Sequence, residues 1–91
     1  MYSNFNKHNL PSPTEYYQDQ GIHLRDSSEW TSTLCPFHKD KRPSLRININ
    51  SGGYICMSCH AKGGDIVSFH MRKFGLSFKD ACIALGVWGE Q

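Results

Sequence analysis

Two Cys/His pairs with metal-ligand spacing, strand-like segments that lead into them, and capped helical segments on either side predict a small α+β zinc ribbon. In such a fold, antiparallel β-hairpins carry the metal site and short helices flank them. The chain has 91 residues, so a hydrophobic core alone would leave only a thin margin of stability. A bound metal that staples the fold is therefore expected.

The metal site is predicted from two knuckles of the sequence. The first knuckle, residues 35–38, is Cys-Pro-Phe-His, and the second knuckle, residues 56–59, is Cys-Met-Ser-Cys. At this separation the two knuckles can converge on one tetrahedral Zn²⁺. Three thiolates and one imidazole close the coordination sphere, whereas a catalytic zinc keeps a position open for water. We expect one structural zinc ion, and its predicted ligands are Cys35, His38, Cys56 and Cys59.

A second motif overlaps the second knuckle. The run Cys56-Met57-Ser58-Cys59-His60 also has the Cys-x-x-Cys-His pattern of c-type haem attachment, in which both thiols bond the haem and the histidine binds iron. A c-type haem protein is thus an alternative. It leaves the first knuckle without a role, and haem attachment needs export, for which the N-terminus shows no apolar signal. We therefore prefer zinc.

The expected compartment follows from the same absence of an apolar segment. No stretch approaches the ~20 apolar residues of a membrane span, so we expect no membrane contact. We interpret the chain as cytoplasmic, where thiols stay reduced and paired knuckles bind metal more often than they form disulfides. The remaining cysteine, Cys82, lies at a core position of a predicted helix and is expected to be a small buried apolar residue.

The N-terminal third is predicted to contain an arm, a helix and two strands. Residues 1–11, with three Asn, are expected to form a flexible arm that precedes a single domain over residues 12–91. Ser12 and Glu15 form a capping box that starts a short helix ending at Gly21. Residues 22–24 and 30–34 are predicted strands, and the second of these delivers the first knuckle.

The middle of the chain predicts a hairpin. Residues 44–49 alternate in polarity, with Arg46 on the polar face and Ile47 on the apolar face. A glycine-containing turn then leads back through residues 54–56. An odd-numbered loop would place Tyr54 beside Arg46, and an even-numbered loop would place it beside Ile47. The sequence leaves this register open.

Two capped helices are predicted near the C-terminus. Asp65 is the expected N-cap of the first, and Ser77 opens the second with Asp80 in its first turn. The expected apolar stripe of the first helix consists of Ile66, Val67, His70, Met71 and Phe74. We interpret His70 as a satisfied core side chain. With both aspartates assigned to helix starts, no catalytic constellation remains, and we expect no activity of this chain alone.

A basic segment indicates a nucleic-acid partner. Residues 39–46 carry four cations and one acid, although the formal net charge of the chain is only +2. Single-stranded nucleic acid is bound by cations that pair with phosphates beside rings that stack on bases. The predicted nucleic-acid-binding residues are Lys39, Lys41, Arg42, Arg46, Tyr54 and Lys62.

Three segments of the sequence resemble one known family. They are residues 35–45 (Cys-Pro-Phe-His-Lys-Asp-Lys-Arg-Pro-Ser-Leu), 54–59 (Tyr-Ile-Cys-Met-Ser-Cys) and 63–69 (Gly-Gly-Asp-Ile-Val-Ser-Phe). Together they resemble the N-terminal zinc-binding domain of DnaG-type bacterial and phage DNA primases, over about residues 30–85. Two positions differ, because His60 stands where the family usually has Gly, and Gly53 stands where an aromatic residue often precedes Tyr54.

The resemblance implies a function in DNA replication. It implies the same four zinc ligands, binding of a single-stranded DNA template, and a part in choosing where RNA primers begin within the primosome. The implied partners are the template, a primase catalytic domain and a replicative helicase, and polymerisation belongs to that separate catalytic domain, which we expect this chain to lack. The alternative is a zinc-ribbon interaction module that docks a protein and never contacts DNA.

Overall fold

The computed structural model describes residues 10–24, 28–37, 39 and 42–88, within which seven elements occur. In chain order they are α1 (Pro13–Asp19), β1 (Trp30–Thr33), β2 (Leu45–Asn48), β3 (Tyr54–Cys56), β4 (Lys62–Gly63), α2 (Ile66–Phe74) and α3 (Phe78–Ala84). The strands form one antiparallel sheet in the order β1-β2-β3-β4, and this confirms the predicted α+β ribbon. In the described part of the chain, no helix is both long and apolar enough to cross a bilayer.

The helices begin where the sequence predicts. Ser12 Oγ accepts a hydrogen bond from the Glu15 backbone N–H at 3.2 Å, and the Asp65 carboxylate accepts one from the Ser68 backbone N–H at 2.8 Å. Ser77 caps α3 in the same way. These bonds satisfy N–H groups that the first turn of a helix leaves without an intrahelical partner.

The hairpin between β2 and β3 has the register that the sequence left open. Ile47 lies opposite Tyr54, with residues 48–53 between them, so the loop is even-numbered and the two side chains share one face. The Asn48 side chain organises this turn, because its Oδ1 accepts hydrogen bonds from the backbone N–H groups of Asn50 and Ser51, each at 2.9 Å. Asn48, which the alternation placed on the polar face, is therefore only 7% exposed.

Helices α1 and α2 cover one side of the sheet, which we call the inner face. Its buried residues are Thr31, Thr33, Leu45, Ile47, Tyr54 and Cys56. The side chain of Phe69 in α2 lies at the centre of this packing, and its ring centroid is 4.8 to 6.0 Å from those of Tyr16, Tyr17, Phe37 and Tyr54. Three of these four contacts are edge-to-face, a geometry that adds to the free energy of burial. The core of the ribbon is thus an aromatic cluster between α1, α2 and the inner face.

Two predictions about the elements are wrong. Residues 22–24 form no strand, because the Ile22 backbone N–H donates to the Tyr17 carbonyl at 3.0 Å and closes the end of α1. Phe74 was expected in the apolar stripe of α2 but is 51% exposed at the last position of that helix. Phe69, which lies three residues after the start of α2 and faces the sheet, takes its place in the core.

A smaller cluster joins α2 to α3. Its buried members are Val67, Ala81, Cys82 and Val87. Cys82 is completely buried, as predicted for a small apolar residue. Leu10, which we assigned to the flexible arm, packs against both clusters, and the remainder of the arm, residues 1–9, lies outside the described residues.

Candidate metal centre and nucleic-acid face

The second knuckle is a tight turn that begins at the last residue of β3. The Cys56 backbone N–H donates to the Ala61 carbonyl at 2.8 Å, and the His60 N–H donates to the Cys56 carbonyl at 2.9 Å. The Cys59 backbone N–H donates to the Cys56 Sγ at 3.3 Å. The turn therefore orients the Cys56 sulfur and supports negative charge on it.

Three thiols converge between the knuckles. The Sγ atoms of Cys35, Cys56 and Cys59 all lie within 4.8 Å of one another, and those of Cys35 and Cys59 are 3.9 Å apart. Two sulfurs that each bind a tetrahedral zinc at ~2.3 Å are ~3.8 Å from each other, so the cluster fits a zinc ion. His38, the predicted fourth ligand, lies outside the described residues.

The surroundings of Cys35 favour a metal over a bare thiolate. Burial raises the pKa of the Cys35 thiol to about 12; a backbone hydrogen bond from Phe37 lowers this pKa, and the neighbouring sulfurs of Cys56 and Cys59 raise it. A thiol in this position gives up its proton at neutral pH when a cation takes the proton's place, and zinc does this for its thiolate ligands. A metal cation at this site compensates the negative charge of the thiolates.

The other side of the sheet, which we call the outer face, carries a row of side chains in register. Ser32 lies opposite Arg46, Arg46 opposite Ile55, and Ile55 opposite Lys62. Directly opposed residues share a face, so the row crosses all four strands. Arg46 and Lys62 are exposed, and because β2 and β4 are two strand spacings apart, their backbones are separated by ~10 Å. The outer row thus has a cation on each side of Ile55.

The other predicted nucleic-acid-binding residues have different positions. Tyr54 is 2% exposed on the inner face, and its hydroxyl accepts a hydrogen bond from Arg72 Nε at 3.2 Å. A ring without an accessible face cannot stack on a base, so the assignment of Tyr54 to the nucleic-acid-binding residues is wrong. Lys39 and Arg42 are exposed in the segment between the first knuckle and β2, and Lys41 lies outside the described residues.

The outer face also carries an aromatic side chain that the sequence did not single out. Trp30 precedes Ser32 by two residues in β1, so it shares the outer face, and it is 49% exposed. Leu34 and Met57, which continue the same parity beyond β1 and β3, are 52% and 57% exposed. The sequence could have indicated that Trp30 and Ser32 share one face of β1, because they are two residues apart, but not that this face is the exposed one.

A three-thiol cluster between two knuckles, held at the ends of antiparallel strands, defines a zinc ribbon. Residues 15–87 match the CHC2 zinc finger family. Because this match covers well over half of the sequence, the chain belongs to the CHC2 zinc finger family, the zinc ribbon of DnaG-type primases. The resemblance seen in the sequence is thereby confirmed.

Curated relatives place the ribbon within larger proteins. The chain is 39% identical to the DNA primase of Chlamydia pneumoniae over 64 residues, which are 70% of this chain and 11% of that protein. It is 52% identical to the DNA primase of Campylobacter jejuni over 48 residues, 53% of this chain and 8% of that protein. The Gene 58 protein of Mycobacterium phage D29 is 36% identical over 56 residues, 62% of this chain and 43% of that protein.

A solved structure has the same fold. The crystal structure of the Aquifex aeolicus primase, with its zinc-binding and RNA polymerase domains, matches with a TM-score of 0.70 at 22% identity. The match covers 84% of this chain and 18% of that chain. At this level of identity the likeness concerns the fold, which is that of a primase zinc-binding domain.

The family and the thiol cluster together establish a structural zinc ion, as the sequence predicted. Both cysteines of the Cys-x-x-Cys-His run lie in this cluster with Cys35, which is the arrangement of a zinc finger and not of a haem attachment site. The c-type haem alternative is therefore wrong. What the chain shares with DNA primases is their zinc-binding module.

Proposed function

We propose that this chain is the template-recognition module of a DNA primase and binds single-stranded DNA on the outer face of its zinc ribbon. The observation that carries this proposal is the outer row, in which Arg46 and Lys62 are exposed on the same face, two strands apart. Phosphates of a single strand pair with such cations without reading the sequence. The names of the relatives, DNA primases, supply the biological context.

Zinc has a positioning function in this proposal. His38 is the proposed fourth ligand beside the three thiols, and a zinc ion closed by four protein ligands does no chemistry. The metal joins the first knuckle, from which Lys39, Lys41 and Arg42 follow, to the second knuckle, which β4 and Lys62 follow. Binding of the metal therefore fixes the two chain segments that lead to these cations to each other.

Primer synthesis is assigned to a partner. Among the described residues, the clustered metal-binding groups are the three thiols, and Asp65 is engaged as a helix cap. Polymerisation of nucleotides uses divalent cations held on carboxylates. The chain is accordingly proposed to act with a primase catalytic domain, and with a replicative helicase during DNA replication.

A protein-docking function is the second candidate, and one observation favours it. Leu34 and Met57, which directly follow β1 and β3, are more than half exposed, and exposed apolar side chains of this size would suit a protein partner. A docking surface of this kind predicts binding that changes little with salt. Binding to DNA predicts the opposite, because counterions are released from the phosphates.

The test is a salt titration of zinc-loaded protein against a fluorescently labelled single-stranded oligonucleotide. Three or four phosphate contacts predict a slope of log affinity against log salt of roughly −2 to −3. Affinity should be weak for the isolated chain. Absence of binding at low salt, or binding independent of salt, would contradict the proposal and favour protein docking.

A second experiment tests the division of labour with the partner. The purified chain alone should make no primers on any template, and it should increase primer synthesis when added to a primase catalytic domain that lacks its own zinc module. Primer synthesis by the chain alone, abolished by Asp65→Asn, would show that the helix cap is a catalytic residue and would overturn this assignment.

A further inference from the structure

We infer that Trp30 is the base-stacking residue of the outer face, so that a single strand held by the outer row places an unpaired base against the indole ring. This inference rests on the proposed function and adds to it a residue, a contact and a preference for unpaired bases. It also replaces the stacking role that the sequence assigned to Tyr54, whose ring is buried.

The orientation of β1 is the first observation behind this inference. Thr31 and Thr33 face the core at 1% and 5% exposure, while Trp30 faces outward. In the described part of the chain, Thr31 Oγ1 finds no hydrogen-bond partner, although the atom is buried. Burying two threonines and exposing a tryptophan is the reverse of what stability favours. Such local conflicts are expected where a protein meets a ligand.

The position of Trp30 relative to the cations is the second observation. Trp30 lies opposite Asn48, and Arg46 lies opposite Ser32, so Trp30 and Arg46 are diagonal neighbours on one face. Diagonal neighbours are ~7–8 Å apart, within reach of long and aromatic side chains. A strand whose phosphate pairs with Arg46 can therefore lay its base on the indole ring.

The cations of the outer row favour nucleic acid over an apolar protein surface, and an acid beside Trp30 limits where the phosphates can lie. The Glu29 carboxylate lies beside Trp30 in the chain and accepts a hydrogen bond from Asn48 Nδ2 at 3.2 Å. This acid repels phosphates from the Trp30 edge, whereas Arg46 and Lys62 attract them to the row. A strand that places a neutral base over the indole ring and a phosphate over the outer row avoids the Glu29 carboxylate and contacts the cations. Stacking accepts any base, because each base has a π-face.

The experiment compares variants that keep or remove the aromatic face. Trp30→Leu keeps apolar bulk without a π-face, and Trp30→Phe keeps a ring. Each zinc-loaded variant is titrated with labelled oligodeoxythymidine and with an abasic oligomer of the same length, after its zinc content and melting have been matched to wild type. Loss of stacking is worth ~1–3 kcal/mol, so Trp30→Leu should weaken binding of the thymidine oligomer roughly 5- to 150-fold.

The salt slope and the abasic oligomer separate stacking from charge. Trp30→Leu should leave the salt slope and the affinity for the abasic oligomer unchanged, because stacking releases no counterions, and Trp30→Phe should retain most of the affinity. In a Trp88→Phe background, Trp30 is the single tryptophan, and its fluorescence should be quenched by the thymidine oligomer alone.

Three outcomes would overturn the inference, and they are distinguishable. If both oligomers bind with a salt slope but Trp30→Leu binds like wild type, stacking by Trp30 is refuted and the proposed function stands. If neither oligomer binds, the proposed function fails and the stacking inference fails with it. If Trp30→Leu and Trp30→Phe both retain thymidine binding and both lose binding to a primase catalytic domain, Trp30 is a protein-docking residue.

Discussion

β1 and β2 are paired over four positions, yet their large apolar side chains face opposite sides of the sheet. In β2, Leu45 and Ile47 are completely buried on the inner face. In β1, the inner positions are threonines, and Trp30 stands on the outer face at 49% exposure. The two strands share a backbone register but follow different rules for placing apolar residues.

The sheet therefore divides two requirements, stability and binding, between its faces. The inner face of β2 contributes to the aromatic core and so to stability. The outer face of β1 gives up stability by exposing an indole ring, and in our proposal it gains a contact with an unpaired base. The same division separates the two aromatic residues of the sheet, because Tyr54 is 2% exposed and Trp30 is 49% exposed.

The largest effect is expected from loss of the zinc ion, on which the fold of both faces depends. Cys59→Ser should lose zinc and cooperative unfolding, because metal binding in zinc-finger peptides contributes on the order of 10 kcal/mol to folding. Cys82→Ser, the matched control outside the cluster, should keep one zinc per chain. Metal analysis and thermal melting measure both quantities. Zinc loss in Cys82→Ser would show that the ligand assignment is wrong.

The second-largest effect is expected when the stability contributions of an inner-face and an outer-face aromatic residue are compared. Tyr54→Ala should lower the free energy of unfolding by about 3–5 kcal/mol, as deletion of a buried aromatic ring does. Trp30→Ala, its counterpart on the outer face, should change that free energy by less than about 1 kcal/mol. Denaturant unfolding with excess zinc measures both. Equal destabilisation by the two variants would mean that Trp30 belongs to the core.

A smaller effect of opposite sign is expected at the second knuckle. His60 has a φ of 65°, the left-handed region, which costs a non-glycine residue roughly 1–2 kcal/mol. His60→Gly should stabilise the zinc-loaded fold by about 1 kcal/mol and leave oligonucleotide binding unchanged, since His60 lies outside the outer row. Ser58→Gly, in the same knuckle, should destabilise it by about 0.5–1 kcal/mol. Similar shifts for both variants would contradict a backbone cause.

The smallest expected effect is a pH dependence of the folding stability that arises from His70 in α2. His70 is 8% exposed, as predicted for a core side chain, and its Nδ1 lies 2.7 Å from the Tyr16 hydroxyl. Burial lowers the pKa of His70, and the charge of Lys73 lowers it further. The unfolded chain, with a histidine pKa of ~6.5, therefore takes up this proton first as pH falls. The contribution of His70 to stability is complete above pH ~6.5 and is lost below it.

The measurement for His70 is denaturant unfolding between neutral and mildly acidic pH, with zinc content followed in parallel. His70→Gln keeps a polar group without a titrating ring, so its stability should fall less than that of wild type over this range. Parallel curves for the two proteins would mean that another group, such as a zinc ligand, sets the dependence on pH.

Local signals in the sequence were sufficient for much of this structure. The helix caps, the convergence of the knuckle thiols and the alternation of Leu45, Arg46 and Ile47 each depend on neighbouring residues, and the described part of the chain agrees with them. Asn48 departs from the alternation, because its side chain is buried in the turn. The face of Tyr54 was not predictable, because it depends on how the Asn48 side chain holds the turn. The buried face of β1 was also not predictable from the sequence. Threonine and tryptophan are both strand formers, so their alternation does not show which of the two faces the core.

Binding of single-stranded DNA by the outer row is tested by comparing two double variants. Arg46→Ala/Lys62→Ala removes two charges from the outer face, and Lys73→Ala/Lys79→Ala removes two from helices α2 and α3, outside the outer row. Binding of a single-stranded oligonucleotide by each zinc-loaded protein is measured over a range of salt. We expect the outer-face variant to bind more weakly, with a salt slope flatter by about 1.4, and the helix variant to match wild type. Equal affinity and equal slope for the outer-face variant and wild type would contradict DNA binding by the outer row.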